Sequence, residues 1–181
     1  METRYIAFLR GVNVGGRVVK MERLRGLFSE MGFTHVRSYI QSGNVFFETT
    51  ETDPAALTRK IEQRLLDALG YQVSTFLRTL PQVERALQLD PFQQVEVTPD
   101  TRLFLLFISE PLPSDLALPF RSPRNDFEIV QATPGEVFVV SRLMDGKPGN
   151  PVAVIEKTFQ VKTTSRFFGT ALKILQAAKS A

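Results

Sequence analysis

Residues 11–20 form a glycine-rich stretch that follows an apolar run and has the composition of an anion-binding loop. Glycines let the backbone turn tightly and expose its N–H groups, and the start of a following helix adds partial positive charge. Arg10, Arg17 and Lys20 place cations in and beside this glycine-rich loop. Exposed N–H groups next to cations favour a bound anion such as a phosphate. The alternative is a glycine turn with a purely structural role.

The spacing of Gly11 and Gly16 matches that of the nucleotide-binding P-loop, but the residues that follow do not. Arg17 and Val18 stand where that motif has a lysine and a hydroxyl residue, so a ligand for Mg²⁺ is missing. We therefore expect a generic anion site or a structural turn. In an anion site, the N–H groups of Gly15 and Gly16 would bind ligand oxygens.

Gln41, Ser42, Gly43 and Asn44 form a second polar segment, the 41–44 hairpin, between two predicted strands. These residue types are ordinary in hairpins, so a structural role is the first interpretation. In a ferredoxin-like topology, however, this hairpin and the glycine-rich loop lie at the same end of the sheet. Polar side chains of both segments, Asn13 among them, would then orient a polar, anionic ligand.

The segment Lys162-Thr163-Thr164-Ser165-Arg166 is a third candidate, which we predict to begin the last helix. Thr164 or Ser165 would be the N-cap, and Arg166 would offer a further anion contact. The complete set of predicted ligand-binding residues is Arg10, Gly11, Asn13, Gly15, Gly16, Lys20, Gln41, Ser42, Gly43, Asn44 and Arg166.

The familiar catalytic arrangements are missing from the sequence. It has no cysteine and one histidine, His35, so it offers no thiol nucleophile and no obvious zinc site. No serine lies in a Gly-x-Ser-x-Gly frame. Because histidine and carboxylates do not cluster in the motifs, we expect no tightly bound transition metal, and no cofactor is indicated. The sequence leaves open whether the protein is an enzyme.

The composition predicts a globular protein. The 181 residues are 43% hydrophobic and 23% charged, and no apolar run approaches the roughly 18 residues of a membrane helix. The missing cysteines and the lack of a secretion signal at the N-terminus favour a cytoplasmic protein without membrane association. Residues 1–50 carry seven Lys/Arg against four Asp/Glu, and residues 151–181 carry five against one. If these basic ends meet, they favour an anionic partner; the alternative is a solvated surface.

Hydrophobic spacing predicts the order β-α-β-β-α-β in the first half. The predicted strands are residues 5–9, 35–40, 44–47 and 73–77, and the predicted helices are residues 20–31 and 54–69. Asp53-Pro54 is a typical helix start, and Gly70 a typical helix end. This is the ferredoxin-like order, so we predict an α+β fold with a ferredoxin-like half over residues 1–80.

The second half, residues 81–181, reads as an imperfect ferredoxin-like repeat, forming a second domain or one compact unit with the first. The predicted strands are residues 103–108, 127–130 and 137–140, with one helical turn at residues 114–118. Asn150-Pro151 predicts a helix start, and a final helix over residues 165–178 takes the place of the last strand.

Several segments together resemble the signature of a bacterial family catalogued as domain of unknown function 1697. They are Leu9-Arg10-Gly11-Val12-Asn13-Val14-Gly15-Gly16, Val19-Lys20-Met21 and Tyr39-Ile40-Gln41-Ser42-Gly43-Asn44-Val45, and Thr164-Ser165-Arg166 with Thr170 and Lys173 is similar to its C-terminal motif. The resemblance implies ferredoxin-like architecture and no established activity. The family pattern continues with Asn-Trp-Asn, where this chain has Phe167-Phe168-Gly169. If the asparagines of the family pattern contact a ligand, this chain either lacks those contacts or binds a less polar ligand.

Three hypotheses about function follow. The first is a protein that binds a small anionic ligand, a nucleotide or a phosphorylated metabolite, between the glycine-rich loop, the 41–44 hairpin and Arg166. The second is a nucleic-acid-binding module that uses the same basic edge. The third is a non-catalytic interaction protein in which the motifs only maintain the fold.

Overall fold

The computed structural model describes residues 1–180, which form five helices and two antiparallel sheets. The predicted α+β class is therefore confirmed, and no helix in these residues is long and apolar enough to cross a membrane. The elements in chain order are β1 (Thr3–Leu9), α1 (Met21–Glu30), β2 (Thr34–Ser38), β3 (Asn44–Thr49), α2 (Pro54–Leu69), β4 (Thr75–Thr79), α3 (Leu80–Gln88), β5 (Thr101–Ile108), β6 (Phe120–Arg121), β7 (Phe127–Ala132), β8 (Glu136–Arg142), α4 (Pro151–Phe159), β9 (Thr163–Phe167) and α5 (Phe168–Lys179).

The chain divides into two compact units. The first comprises Met1–Glu84 and the chain from Ile174 onward, and the second comprises Arg85–Lys173. The division falls within α3 and within α5, so each of these helices contributes residues to both units. The division at residue 80 drawn from the sequence places the end of α5 in the second half instead.

The sheet of the first unit has the strand order β2-β3-β1-β4, and the element order β-α-β-β-α-β is the one predicted. Strands β1 and β2 both pair antiparallel with β3, so they run parallel to each other. The chain therefore leaves β1 and β2 at the same end of the sheet. This topology decides which loops can meet.

One face of this sheet packs against α1 and α2. Every third or fourth residue of each helix is apolar, so each has one buried side. Phe28 of α1 and Ile61 of α2 are fully buried in the core, where Phe33 stacks on Phe47 with ring centroids 4.3 Å apart. Asp53 begins α2 by accepting hydrogen bonds from two backbone N–H groups of its first turn. The helix ends at Gly70, which adopts the left-handed conformation.

The opposite face of this sheet is also buried, which explains why β1 does not alternate between apolar and polar residues. Ile6 and Phe8 are fully buried. The end of α5 contacts this face: Arg37 donates to the carbonyl oxygen of Ala177 at 3.0 Å. The same guanidinium lies 5.3 Å from the centroid of the Phe46 ring.

The sheet of the second unit has the order β6-β7-β8-β5-β9. Without the two-residue β6, the order β7-β8-β5-β9 reproduces β2-β3-β1-β4 of the first unit, with β5 in the place of β1. In both units a helix follows the last strand: α3 follows β4, and α5 follows β9. No described helix between β5 and β7 corresponds to α1. The imperfect repeat thus extends to the order in which the strands pair.

Two predictions for the second unit are wrong. Residues 163–167 are the strand β9, not the start of the last helix, and residues 114–118 are not helical. Pairing with β5 overrides the capping pattern, because Thr164 pairs with Phe107 and Arg166 with Leu105, both fully buried. Pro119 disfavours helical backbone at Leu118, the last residue of this segment, because a proline restricts the residue before it.

Candidate functional site

The side chain of Asn13 joins the glycine-rich loop to the 41–44 hairpin. Its Nδ2 donates to the carbonyl oxygen of Gln41 at 2.7 Å, and its Oδ1 accepts from the backbone N–H of Val19 at 2.7 Å. The backbone N–H of Leu9 also donates to the carbonyl oxygen of Gly43 at 2.8 Å. The predicted convergence of the two segments at one end of the sheet is therefore confirmed.

The 41–44 hairpin holds itself against β1. Gly43 is buried with a φ of +82°, and a Cβ there would lie 3.0 Å from the Cβ of Leu9 and 3.2 Å from its carbonyl oxygen. Asn44 is fully buried, and its Nδ2 donates to the Tyr39 carbonyl at 3.2 Å and to Ser42 Oγ at 2.9 Å. Gly43 and Asn44 thus have structural functions, whatever the hairpin binds. The exposed residues of the hairpin are Gln41 and Ser42.

The two central glycines of the glycine-rich loop form a tight turn. The N–H of Arg17 donates to the carbonyl oxygen of Val14 at 3.1 Å. Between them, Gly15 and Gly16 have φ values of +62° and +83°, the signs of a type I′ turn. Both glycines are exposed. The turn therefore explains why glycine is needed, and it also leaves these two residues open to solvent.

Arg10, Arg17 and Lys20 flank this turn in the sequence, and their environments differ. The guanidinium of exposed Arg17 lies 4.2 Å from the ring centroid of Tyr71, whose hydroxyl donates to the Val12 carbonyl at 3.4 Å. Lys20 is exposed directly before α1, and Arg10 is half-buried after the end of β1. The aromatic contact restricts the Arg17 side chain, so less entropy is lost when it binds a ligand.

Helix α1 begins without a side-chain cap. Its N-cap residue is Lys20, whose side chain cannot accept a hydrogen bond, and no cap hydrogen bond is formed. The first bond back to the N-cap comes from the Leu24 N–H to the Lys20 carbonyl, at 3.1 Å. The N–H groups of the first turn thus have no partner within the helix. By contrast, Asp53 caps α2 and Asn150 caps α4 with their side chains.

Arg166 lies in β9 of the second unit, and it is 7% exposed. Its Nη1 donates to Thr164 Oγ1 at 3.0 Å and to the Ser165 carbonyl at 2.8 Å. Burial lowers the pKa of this guanidinium from its usual value to about 10, so the group is still protonated at neutral pH. The predicted helix-start environment is wrong for Arg166, and its participation in the ligand site stays a prediction.

A group of potential metal ligands was missed by the sequence reasoning. Glu2, His35 and Glu48 are distant in sequence, yet their ligand atoms all lie within 4.8 Å of one another. The expectation concerned the motifs alone, and this cluster lies outside them. The pairing of β2 with β3 brings them together, because Thr34 is opposite Glu48. Knowing which residues of β2 and β3 pair with each other would have revealed the cluster.

The second unit has an apolar cavity of about 270 Å³ near the connection that follows β5. Its wall includes residues of that connection and of the β7–β8 hairpin, where Ala132 and Thr133 lie. The lining residues are Pro111, Leu112, Pro113, Ser114, Leu116, Leu118, Ala132, Thr133 and Pro134. Among the described residues, no charged side chain lines this cavity, unlike the surroundings of the glycine-rich loop.

Comparison with known proteins identifies the family. The family described as "Protein of unknown function (DUF1697)" matches residues 2–138. The chain belongs to this family. The range that matches the DUF1697 family includes the glycine-rich loop and the 41–44 hairpin, whereas Arg166 lies beyond it.

A solved structure resembles this DUF1697 chain over almost its whole length. The conserved bacterial protein SP0830 from Streptococcus pneumoniae has a TM-score of 0.71 and 24% sequence identity, covering 99% of this chain and 100% of that one. At this identity the similarity establishes the fold alone. No curated protein matches the chain.

Proposed function

We propose that the glycine-rich loop and the start of α1 bind a small anionic ligand, a nucleotide or a phosphorylated metabolite. The observation that carries this proposal is the uncapped N-terminus of α1. Its N-cap residue is Lys20, a cation, where a helix usually has a residue that accepts hydrogen bonds from its first turn. An anion would occupy the place of the missing cap.

The electrostatics of this region support an anionic ligand. The aligned peptide dipoles of α1 place about half a positive charge at its N-terminus, and an anion there gains about 0.3–1 kcal/mol at an exposed site. Lys20 and the fixed guanidinium of Arg17 add two full charges. Glu22 is the acidic residue in the first turn, and it opposes part of this field. In sum, the side chains near the glycine turn favour an anion.

The hydrogen bonds of Asn13 give it a positioning function in this proposal. Both polar atoms of its amide are engaged within the protein, one with Gln41 and one with Val19. It therefore holds the loop in place, and the ligand contacts fall to the N–H groups of the loop and to the cations. A loop that is already held loses less entropy on binding. Arg10 remains a proposed contact.

We place this function in the bacterial cytoplasm, where nucleotides and phosphorylated metabolites are abundant. The support is the structural similarity to a bacterial protein and the absence of cysteine from the chain. Nucleic acid has the same phosphate chemistry, so the experiment must separate a small ligand from a polymer.

Lys20→Asp tests the proposal, because it gives α1 a carboxylate cap and removes a cation. We expect wild type to be stabilised saturably by inorganic phosphate or by one of a panel of nucleotides and sugar phosphates. The variant should lose this response while its unliganded melting temperature rises, since a new cap contributes about 1 kcal/mol.

Lys147→Asp is the matched control, since it changes the net charge equally at an exposed residue of the second unit. It should respond to phosphate as wild type does. An unchanged response of Lys20→Asp would refute a site at the start of α1. Oligonucleotide binding that falls steeply with salt, without saturable binding of any small anion, would favour the nucleic-acid hypothesis.

A further inference from the structure

Three residues at the other end of the first sheet combine one imidazole with two carboxylates. Glu2 precedes β1, His35 lies near the start of β2, and Glu48 lies in β3. Their ligand atoms all lie within 4.8 Å of one another, and His35 Nδ1 is 3.2 Å from Glu48 Oε2. The glycine-rich loop follows the opposite end of β1, so this cluster is separate from the anion site proposed above.

An irregularity in β2 accompanies the placement of His35. The register between β2 and β3 shifts between Thr34 and Arg37, which marks a β-bulge or similar irregularity. His35 has a φ of +50° in this segment, a conformation that L residues seldom adopt. Bulges redirect side chains at sheet edges, and His35 here contacts Glu48, although its own side chain is 69% exposed.

Neighbouring side chains orient the two carboxylates of the cluster and leave Glu48 Oε2 facing His35. Arg4 donates to Glu48 Oε1 from Nε at 2.7 Å and approaches it with Nη2 at 2.6 Å. The other oxygen, Oε2, is the one near His35. Thr34 Oγ1 donates to both carboxylate oxygens of Glu2, at 3.1 and 3.2 Å. Each of these carboxylates is thus oriented by a neighbour, as second-shell partners orient metal ligands.

We propose that Glu2, His35 and Glu48 form a site for a divalent transition-metal ion, of which Zn²⁺ is the probe. One imidazole nitrogen and two carboxylate oxygens would bind the ion, and water would complete its coordination. Glu2 and His35 are exposed and Arg4 lies beside the cluster, so the ion exchanges readily. A bound ion would link Glu2 to the edge strand β2.

The single histidine makes the test direct. Because the chain has one histidine and no cysteine, any imidazole that binds Zn²⁺ in protein without an affinity tag is that of His35. We would titrate ZnCl₂ in phosphate-free buffer, follow the His35 ring signals by NMR and measure the affinity by calorimetry. We expect one equivalent to bind and the ring signals to shift saturably.

Two variants and a control locate the site. His35→Asn and Glu2→Gln should each weaken Zn²⁺ binding by about tenfold or more, as loss of a metal-site group does. Glu51→Gln, which alters an exposed carboxylate paired with Lys60, should bind as wild type. His35 signals that do not move at millimolar Zn²⁺, or an affinity unchanged in His35→Asn, would overturn the metal site. Either result leaves the proposed anion site untouched, because that site contains none of these residues.

Discussion

The connections that follow β1 and β5 occupy the same place in the two sheets but have opposite chemistry. The connection after β1 contains Gly15 and Gly16 with Arg17 and Lys20, and it leads into α1. The connection after β5 contains prolines and leucines with Glu110 and Asp115, includes no described helix, and lines an apolar cavity.

This difference shows that the order of strands does not determine what a connection can bind. Both sheets have the core order in which the strand equivalent to β1 lies between the equivalents of β3 and β4. The residues of the connection decide whether its N–H groups and cations face solvent or its apolar side chains surround a cavity. A function assigned from fold alone would therefore not distinguish the two units.

The largest expected effect is at Gly43, on which the loop after β1 depends. Gly43→Ala would put a Cβ 3.0 Å from the Leu9 Cβ at a residue with a φ of +82°. The unfavourable φ costs about 1–2 kcal/mol, and overpacking adds about 1–3 kcal/mol. We expect denaturant unfolding to show a loss of about 2–5 kcal/mol.

Gly146 offers a control in the second unit, since its φ is +73° and a Cβ there would meet nothing within 4 Å. Gly146→Ala should therefore lose only the conformational part, about 1–2 kcal/mol. Equal losses in the two variants would show that the close approach of Gly43 to β1 is not important.

The next effect concerns Asn13, which has no described counterpart in the connection after β5. Asn13→Ala removes the hydrogen bonds to Gln41 and Val19. We expect about 1–3 kcal/mol lower stability in urea unfolding, because groups in part-buried positions lose their partners. The phosphate response should weaken as well, although Asn13 itself is not a proposed contact. A full phosphate response would contradict its positioning function.

A smaller effect is expected when leucine replaces alanine, and its size should differ between the two units. Ala132 lines the cavity of the second unit, whereas Ala7 of β1 is fully buried in the first core. Ala132→Leu should change the free energy of unfolding by less than about 1 kcal/mol, because the cavity accepts the side chain. Ala7→Leu should cost about 1–3 kcal/mol through overpacking. Thermal unfolding of both variants tests this, and a large loss at Ala132 would show that the cavity cannot be filled.

The smallest effect is a pH dependence at Glu48. Its pKa is lower in the folded protein than its ordinary value, chiefly because of the hydrogen bond from Arg4. The stability that this shift contributes is therefore complete above the pKa of the unfolded state and is lost as the pH falls through that of the folded state. Between about pH 6 and pH 3, the free energy of unfolding measured in urea should fall less steeply with decreasing pH for Glu48→Gln than for wild type. Identical slopes would contradict the shift.

Much of the first unit followed from local sequence signals. Asp53-Pro54 and Gly70 mark the ends of α2 because capping and left-handed turns depend on neighbouring residues alone. The order of elements then implied that the loops after β1 and β2 meet, and the hydrogen bond from Asn13 to Gln41 confirms it. For the same local reason, Asn150 marks the start of α4.

Only the tertiary structure decided the features that depend on distant residues. Thr163–Phe167 forms β9 because β5 offers it backbone partners, and this pairing outweighs a pattern that resembles a helix cap. Glu2, His35 and Glu48 meet because of the register between strands, which no local pattern encodes. Capping and hydrophobic period are short-range energies and can be read along the chain. Strand pairing and side-chain clustering are long-range, so they appear only when the sheets have formed.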